Sequence, residues 1–205
     1  MPPHAPHETL PVTIEIEAKM RLDDRPAMQQ KLRDMGATHL TDIAESNTYF
    51  DTPDDKLKTS DQGLRIRVED QGPRGIRTVI THKGPRAHGK LKSRSESETI
   101  VTSARDAADL LAALGFNPVL SFEKRRQRWE LDGCRIELDT MPLLGDFIEI
   151  EGPHDDTVMH VRDKLGLAKQ PLIKASYIGM LCTHMAEHHM TAGFVGFDDQ
   201  PATAP

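Results

Sequence analysis

From Ile14 to Leu22 the chain alternates between charged and apolar residues. In a β-strand, residues i, i+2 and i+4 share a face. The spacing therefore predicts a strand over about 12–22, with Glu15, Glu17, Lys19 and Arg21 on one side and Ile14, Ile16, Ala18 and Met20 on the other. The same alternation returns at Gly63 to Asp70, where Arg65, Arg67 and Glu69 oppose Leu64, Ile66 and Val68. It returns again at Arg94 to Val101, at Val119 to Leu131, at Cys134 to Thr140 and at Gly145 to Gly152. A further extended segment covers 37–50, and Ile76 to Lys83 reads as the return strand of a hairpin turning at 71–75. Asp132-Gly133 is a two-residue hairpin turn, and 51–55 is a turn cluster. Gly84-Pro85 is expected to break its strand, leaving 84–92 as a loop rich in glycine and basic residues.

Helices fall between these strands. Asp24 before Arg25-Pro26 supplies an acidic cap and a first-turn proline. Met28, Leu32 and Met35 follow at helical spacing, and Gly36 ends the helix. Ser103 caps a second helix bearing Ala107, Leu110, Leu111 and Leu114, closed by Gly115. Two more are expected over 155–166 and from Ser176 to about His189. Residues 1–11 and 190–205 read as disordered tails around a single domain at 12–189.

Sorted by face, four strands carry carboxylate pairs: Glu15/Glu17, Glu96/Glu98, Glu137/Asp139 and Glu149/Glu151. Two carry cations at the same spacing, Arg65/Arg67 and Lys124/Arg126/Arg128. A surface strand laced with salt bridges explains any one of these. Antiparallel strands normally bury the apolar face and wet the other; eight such strands can instead close into a barrel, an α+β fold with charge inside and helices on the apolar outside. A charged interior carries a heavy desolvation cost unless its charges are matched. Divalent cations suit the carboxylates, and a polyphosphate suits the Arg and Lys set.

Composition narrows the classes. The chain has 205 residues, 37% hydrophobic and 28% charged, with a net charge of −6. That balance argues against a general nucleic-acid binder. No apolar run reaches membrane-spanning length, and the N-terminus lacks a signal-peptide pattern, so a cytoplasmic protein is expected. Cys134 and Cys182 stand in no metal-ligand spacing and read as reduced thiols. There is no P-loop, zinc spacing or Ser/His/Asp arrangement. His184, His188 and His189 read as a solvated helix end, and Trp129 as an outer-face core residue rather than a base-stacking platform.

Glu15-x-Glu17-x-Lys19, Arg65-x-Arg67, Lys83 before Gly-Pro, Glu96-x-Glu98, Lys124-x-Arg126, Asp139 and Glu149-x-Glu151, in that order, resemble the CYTH superfamily. That superfamily includes class IV adenylyl cyclases, thiamine triphosphatases and inorganic triphosphatases. The resemblance spans about 12–182 and implies an eight-stranded triphosphate tunnel that depends on Mg²⁺ or Mn²⁺. It assigns Glu15, Glu17, Asp139, Glu149 and Glu151 to metal. Glu96 and Glu98 join them, with support of the cationic wall as their other use. Lys19, Arg21, Arg65, Arg67, Lys83, Lys124, Arg126 and Lys174 go to the triphosphate. Lys83, Glu15 and Glu17 are the catalytic candidates, Lys83 as a base if it lies desolvated among cations. Arg21, Thr48-Tyr49-Phe50-Asp51 and Glu123-Lys124-Arg125-Arg126 look most like the class IV cyclase type. The resulting expectation is conversion of ATP to 3′,5′-cyclic AMP and pyrophosphate. Hydrolysis of thiamine, nucleoside or inorganic triphosphate is the alternative, and a non-catalytic polyphosphate sensor the third reading. The partner is a small-molecule triphosphate, with no nucleic acid or membrane. The oligomeric state is open, a homodimer included.

Overall fold

Strand alternation dictates the architecture, because every charged face needs an interior and every apolar face a cover. The computed structural model describes residues 13–199 except His88, Lys90 and Ala192. The expected tail at 1–11 lies outside the described residues, as do 200–205. The strands are β1 (Thr13–Arg21), β2 (Thr38–Asp51), β3 (Gly63–Asp70), β4 (Ile76–Arg86), β5 (Lys92–Val101), β6 (Asn117–Leu131), β7 (Cys134–Met141), β8 (Gly145–Glu151) and β9 (Phe194–Val195). The helices are α1 (Arg25–Asp34), α2 (Lys56–Thr59), α3 (Ala104–Ala113), α4 (Asp155–Lys164) and α5 (Tyr177–Glu187).

Strands β1 to β8 form a closed antiparallel barrel in the order β2-β3-β4-β5-β1-β8-β7-β6, with β6 pairing back onto β2. Helices lie outside it. Their caps are those the sequence signals: the side chains of Asp24, Ser103 and Ser176 accept hydrogen bonds from the first turns of α1, α3 and α5. The largest apolar cluster sits between the barrel wall and α1 and α4. There Ala18, Met20, Trp129, Ile136, Leu138, Ile148 and Ile150 meet Leu32, Val158, Val161 and Leu165. A second cluster places Ala107 and Leu111 of α3 on Phe50, Leu64 and Ile66. In a third, Tyr177, Leu181 and Met185 of α5 pack on Leu120, Phe122, Met141 and Phe147. These last four continue the charged face of their strands, so α5 covers the barrel where its inner face turns apolar.

Two local expectations are corrected, the strand break at Gly84-Pro85 and the tail at 190–205, and a third, the turn at 51–55, is extended. Strand β4 runs through Gly84-Pro85 to Arg86, with a register shift between Lys83 and Arg86. A bulge tolerates a proline because ladder pairing is already interrupted there. A Cβ at Gly84 would collide with the Ser95 hydroxyl, which would have to turn away. The turn at 51–55 leads into the short helix α2, whose Leu57 and Lys58 amides donate to the Asp51 carboxylate at 2.9 Å each. The tail expected at 190–205 contains β9, which pairs parallel with Ser121 and Phe122, and a 3₁₀ turn at Phe197–Asp199. Val195 is buried, and the Arg125 guanidinium stacks 4.0 Å from the Phe197 ring centroid. The apolar and aromatic residues give this small-residue segment enough to hold on to.

Candidate active site

The inner faces enclose a cavity of about 800 Å³ that runs along the barrel. Adjacent strands β1 and β8 bring four carboxylates into it, with Glu17 opposite Glu151 and Lys19 opposite Glu149 in the ladder. Glu15, Glu17, Glu149 and Glu151 all line the cavity. Burial, then the Glu149 charge, pushes the Glu17 carboxyl up, against the pull of Lys92. Burial also pushes Glu151 up to about 7, with Glu137, Glu15 and Glu17 adding to it and Arg135 opposing. Burial raises Glu149 too, but Lys19 and Arg126 outweigh it and hold that carboxyl well below the usual range. Each of these carboxylates still has a cation within 3.3 Å: Lys83 beside Glu15, Lys92 beside Glu17, Lys19 and Arg126 beside Glu149, and Arg135 beside Glu151.

The opposite wall is cationic. Arg65, Arg67, Lys124 and Arg126 come from β3 and β6, on either side of β2, and line the cavity. Glu45 of β2 lies between them, its carboxylate 3.0 Å from Lys124 Nζ and 3.5 Å from Arg67 Nε. Burial pushes Glu45 up, but Arg67, Lys124 and Arg126 override it and hold it well below the ordinary range. Burial, reinforced by Arg126, pushes the Lys124 ammonium down despite Asp139 and Glu45. Among the described residues the buried Nε atoms of Arg65 and of Arg94, on β5 next to Glu15, have no hydrogen-bond partner. Such donors gain most from an anion placed between the walls.

Lys19 and Lys83 stand between the two sets. Lys19 Nζ lies 2.9 Å from Glu149. Lys83 Nζ pairs with Glu96 and lies 3.3 Å from Glu15. The desolvated, cation-rich setting that a Lys83 base assumed is thus replaced by two carboxylates. Glu96 and Glu98 also line the cavity, but their partners are Lys83, Thr81 and Arg65.

Three assigned residues lie elsewhere. Asp139 is completely buried and does not line the cavity. It accepts from Arg126 at 2.6 and 2.5 Å, from Lys124 at 3.4 Å and from the Tyr177 hydroxyl at 2.9 Å. With both oxygens engaged, it anchors cations rather than offering lone pairs to a metal. Arg21 lies beyond the apolar end of the barrel, where it donates to the Leu144 carbonyl and sits 4.5 Å over the Phe147 ring. Lys174 is exposed and donates to the Gly89 carbonyl at 2.8 Å.

Glu69 and Arg94, on charged strand faces but given no role, also line the cavity, and so does Lys92, which was not anticipated. Lys92 Nζ lies 2.5 Å from Glu17. The alternation that marks Arg94 and Glu96 extends back to Lys92, but the expected 84–92 loop hid it. Glu45 follows the same rule within β2, sharing a face with Asn47, Tyr49 and Asp51. Among the described residues no three acidic, histidine or cysteine side chains converge in a metal-binding arrangement. No helix among them is long and apolar enough to cross a membrane.

Comparison with known proteins places this geometry in context. The family model for the CYTH domain matches residues 13–175. The chain is 32% identical over 173 residues to adenylate cyclase CyaB of Aeromonas hydrophila, covering 80% of this chain and 86% of that protein. It is 30% identical over 149 residues to human thiamine-triphosphatase, covering 61% of this chain and 62% of that protein. The solved structure of the PH1819 protein from Pyrococcus horikoshii OT3 superposes with a TM-score of 0.70 at 27% identity, over 82% of this chain and 98% of that one.

Proposed function

The chain belongs to the CYTH domain family, and from that membership we propose that it is a divalent-metal-dependent enzyme acting on a triphosphate held inside the barrel. The observation that carries this reading is the pair of facing walls: Arg65, Arg67, Lys124 and Arg126 on one side, Glu15, Glu17, Glu149 and Glu151 on the other. Phosphoryl chemistry asks the protein for positioning and charge neutralisation more than for a covalent nucleophile. The guanidinium groups supply forked donors for phosphate oxygens, and Lys19, Lys83 and Arg94 extend the track.

The acidic wall offers the hard carboxylate oxygens that Mg²⁺ or Mn²⁺ takes, although among the described residues no three of them converge on one point. Burial, with repulsion among the carboxylates, pushes Glu17 and Glu151 up against the pull of Lys92 and Arg135. Glu15, Glu17, Glu149 and Glu151 would hold the ion together with substrate oxygens, its charge offsetting that which builds on the phosphoryl group.

The preferred reaction is cyclisation of ATP. The ribose 3′-hydroxyl gives up its proton to water as its oxygen attacks the α-phosphorus, the bond to the α,β-bridging oxygen breaks, and pyrophosphate leaves with 3′,5′-cyclic AMP as the other product. The 32% match to adenylate cyclase CyaB supports it. The second reading, hydrolysis of thiamine, nucleoside or inorganic triphosphate, is favoured by the 30% match to human thiamine-triphosphatase. The same walls would serve a water nucleophile.

³¹P NMR of ATP with the purified protein and Mn²⁺ or Mg²⁺ separates the readings. A cyclic phosphodiester resonance with pyrophosphate is the expected result. ADP with orthophosphate would move the assignment to hydrolysis. No turnover of ATP, thiamine triphosphate or inorganic triphosphate would overturn the enzyme reading and leave a binding protein.

A further inference from the structure

Lysine is a compact point charge on a flexible four-carbon stem, so aiming it needs something that fixes the stem's far end. Two of the cations assigned to the triphosphate, Lys19 on β1 and Lys124 on β6, reach the cavity from different parts of the wall. A single side chain meets both. Lys19 Nζ lies 3.9 Å from the centroid of the Tyr177 ring, and Lys124 Nζ lies 5.4 Å from it. Both distances fall in the range where an ammonium is drawn to an aromatic face, and the attraction is strongest when the pair is desolvated. Lys19, Lys124 and Tyr177 are all buried.

The ring is itself held. Phe147 meets it edge-on, with centroids 5.3 Å apart and planes at 77°. The hydroxyl donates to Asp139, the carboxylate that anchors Lys124 and Arg126. The backbone around it is tied to the same strand: the Ile173 amide donates to the Lys19 carbonyl at 2.8 Å, and Lys19 Nζ donates to the Ala175 carbonyl at 3.3 Å. Ser176, the cap of α5, fixes where the helix begins and hence where its first residue, Tyr177, projects.

We propose that Tyr177 is the positioning residue of the triphosphate site. Its ring face aims the Lys19 and Lys124 ammonium groups at the phosphates. The inference rests on the triphosphate reading above. It gives α5 a role beyond covering the apolar end of the barrel, because the helix delivers the surface on which the two lysines rest.

The test uses inorganic tripolyphosphate as the probe, titrated calorimetrically into the wild-type protein and the variants Tyr177→Phe and Tyr177→Leu. Phenylalanine keeps the ring and loses the hydroxyl, whereas leucine keeps bulk and loses both. The expected result is affinity within about threefold of wild type for Y177F and a loss of about ten- to thirtyfold for Y177L, the size of a desolvated cation–π contact. Equal affinity in a folded Y177L, or a loss in Y177F as large as in Y177L, would overturn the role given to the ring. A second readout needs no variant. A lysine held over a ring has its ε-methylene protons shifted upfield, so the Lys19 resonance in the wild-type ¹H–¹³C spectrum should lie well outside the lysine envelope. A Lys19 resonance inside the envelope would overturn the proposal even if Y177L fails to fold. If the wild-type protein itself does not bind tripolyphosphate, the triphosphate reading falls first.

Discussion

At the scale of single residues, the cation wall depends on Glu45. Its carboxylate faces Lys124, Arg67 and Arg126 while fully buried. Removing one member of such a buried set leaves the others uncompensated, which costs about 3 kcal/mol. Glu45→Gln should therefore lower stability by about that amount at pH 7 in a denaturant titration. The pH dependence has a definite sign. Glu45 titrates well below its ordinary range in the folded protein, because its cationic neighbours override burial. Its contribution is present above the unfolded value of about 4.3 and is lost as pH falls toward the folded value. The gap between wild type and variant should thus narrow below about pH 4, and a gap unchanged from neutral to acid would refute the assignment. Lys83 offers a second residue-level prediction. As a positioned charge between Glu15 and Glu96, it should tolerate Lys83→Arg with most of kcat/KM retained. Lys83→Ala should lose about a hundredfold or more, the cost of removing one electrostatic stabiliser. An arginine variant as inactive as the alanine variant would restore the proton-transfer role.

The strands were legible at the scale of elements because their signal is physical and local: one face charged, one apolar, period two. It located β1, β3, β5, β6, β7 and β8 and the residues that meet inside them. It failed where the decisive contact is distant. Glu45 is no more conspicuous in sequence than any acid on a polar strand; only closure of β2 against β6 surrounds it with cations. Asp139 matches the motif like the other acids, yet its burial behind Arg126 and Tyr177 depends on where α5 docks. Lys92 was hidden because Gly84-Pro85 looks like a strand break, and tertiary pairing carries β4 past it. That hairpin end is held by Asp61, which accepts from Arg86 Nε and its backbone amide at 2.9 Å and lies 3.7 Å from Arg94. Arg86 also donates to the Lys174 carbonyl at 3.2 Å, joining the hairpin to the chain before α5. Asp61→Ala should leave global stability within about 1 kcal/mol, since the ion pair is partly exposed. Amide exchange should accelerate locally at 84–87 and 172–176. Unchanged exchange at both segments would show that Arg86 does not join them.

The whole molecule is a closed barrel with opposite charge on facing walls, and that division makes its stability depend on what the cavity holds. Among the described residues the Nε donors of Arg65, on the cationic wall, and of Arg94, on β5 beside Glu15, have no partner, while burial raises Glu17 and Glu151 on the acidic wall. An anion relieves the first strain and a divalent cation the second, and each favours the other across the cavity. Any ligand that binds only the folded state stabilises it by RT ln(1 + [L]/Kd), or about 2.7 kcal/mol at a hundred times Kd. Tripolyphosphate alone should therefore raise the melting temperature, Mn²⁺ alone should raise it less, and the two together should raise it by more than the sum. Sulfate at matched ionic strength separates specific binding from general screening, because it cannot span the Arg65–Arg67 and Lys124–Arg126 pairs as a chain of three phosphates can. Strictly additive shifts would mean that the walls act independently, and the reading of a single metal–triphosphate site would have to be given up. A sulfate shift equal to that of tripolyphosphate would reduce the cationic wall to a general anion surface.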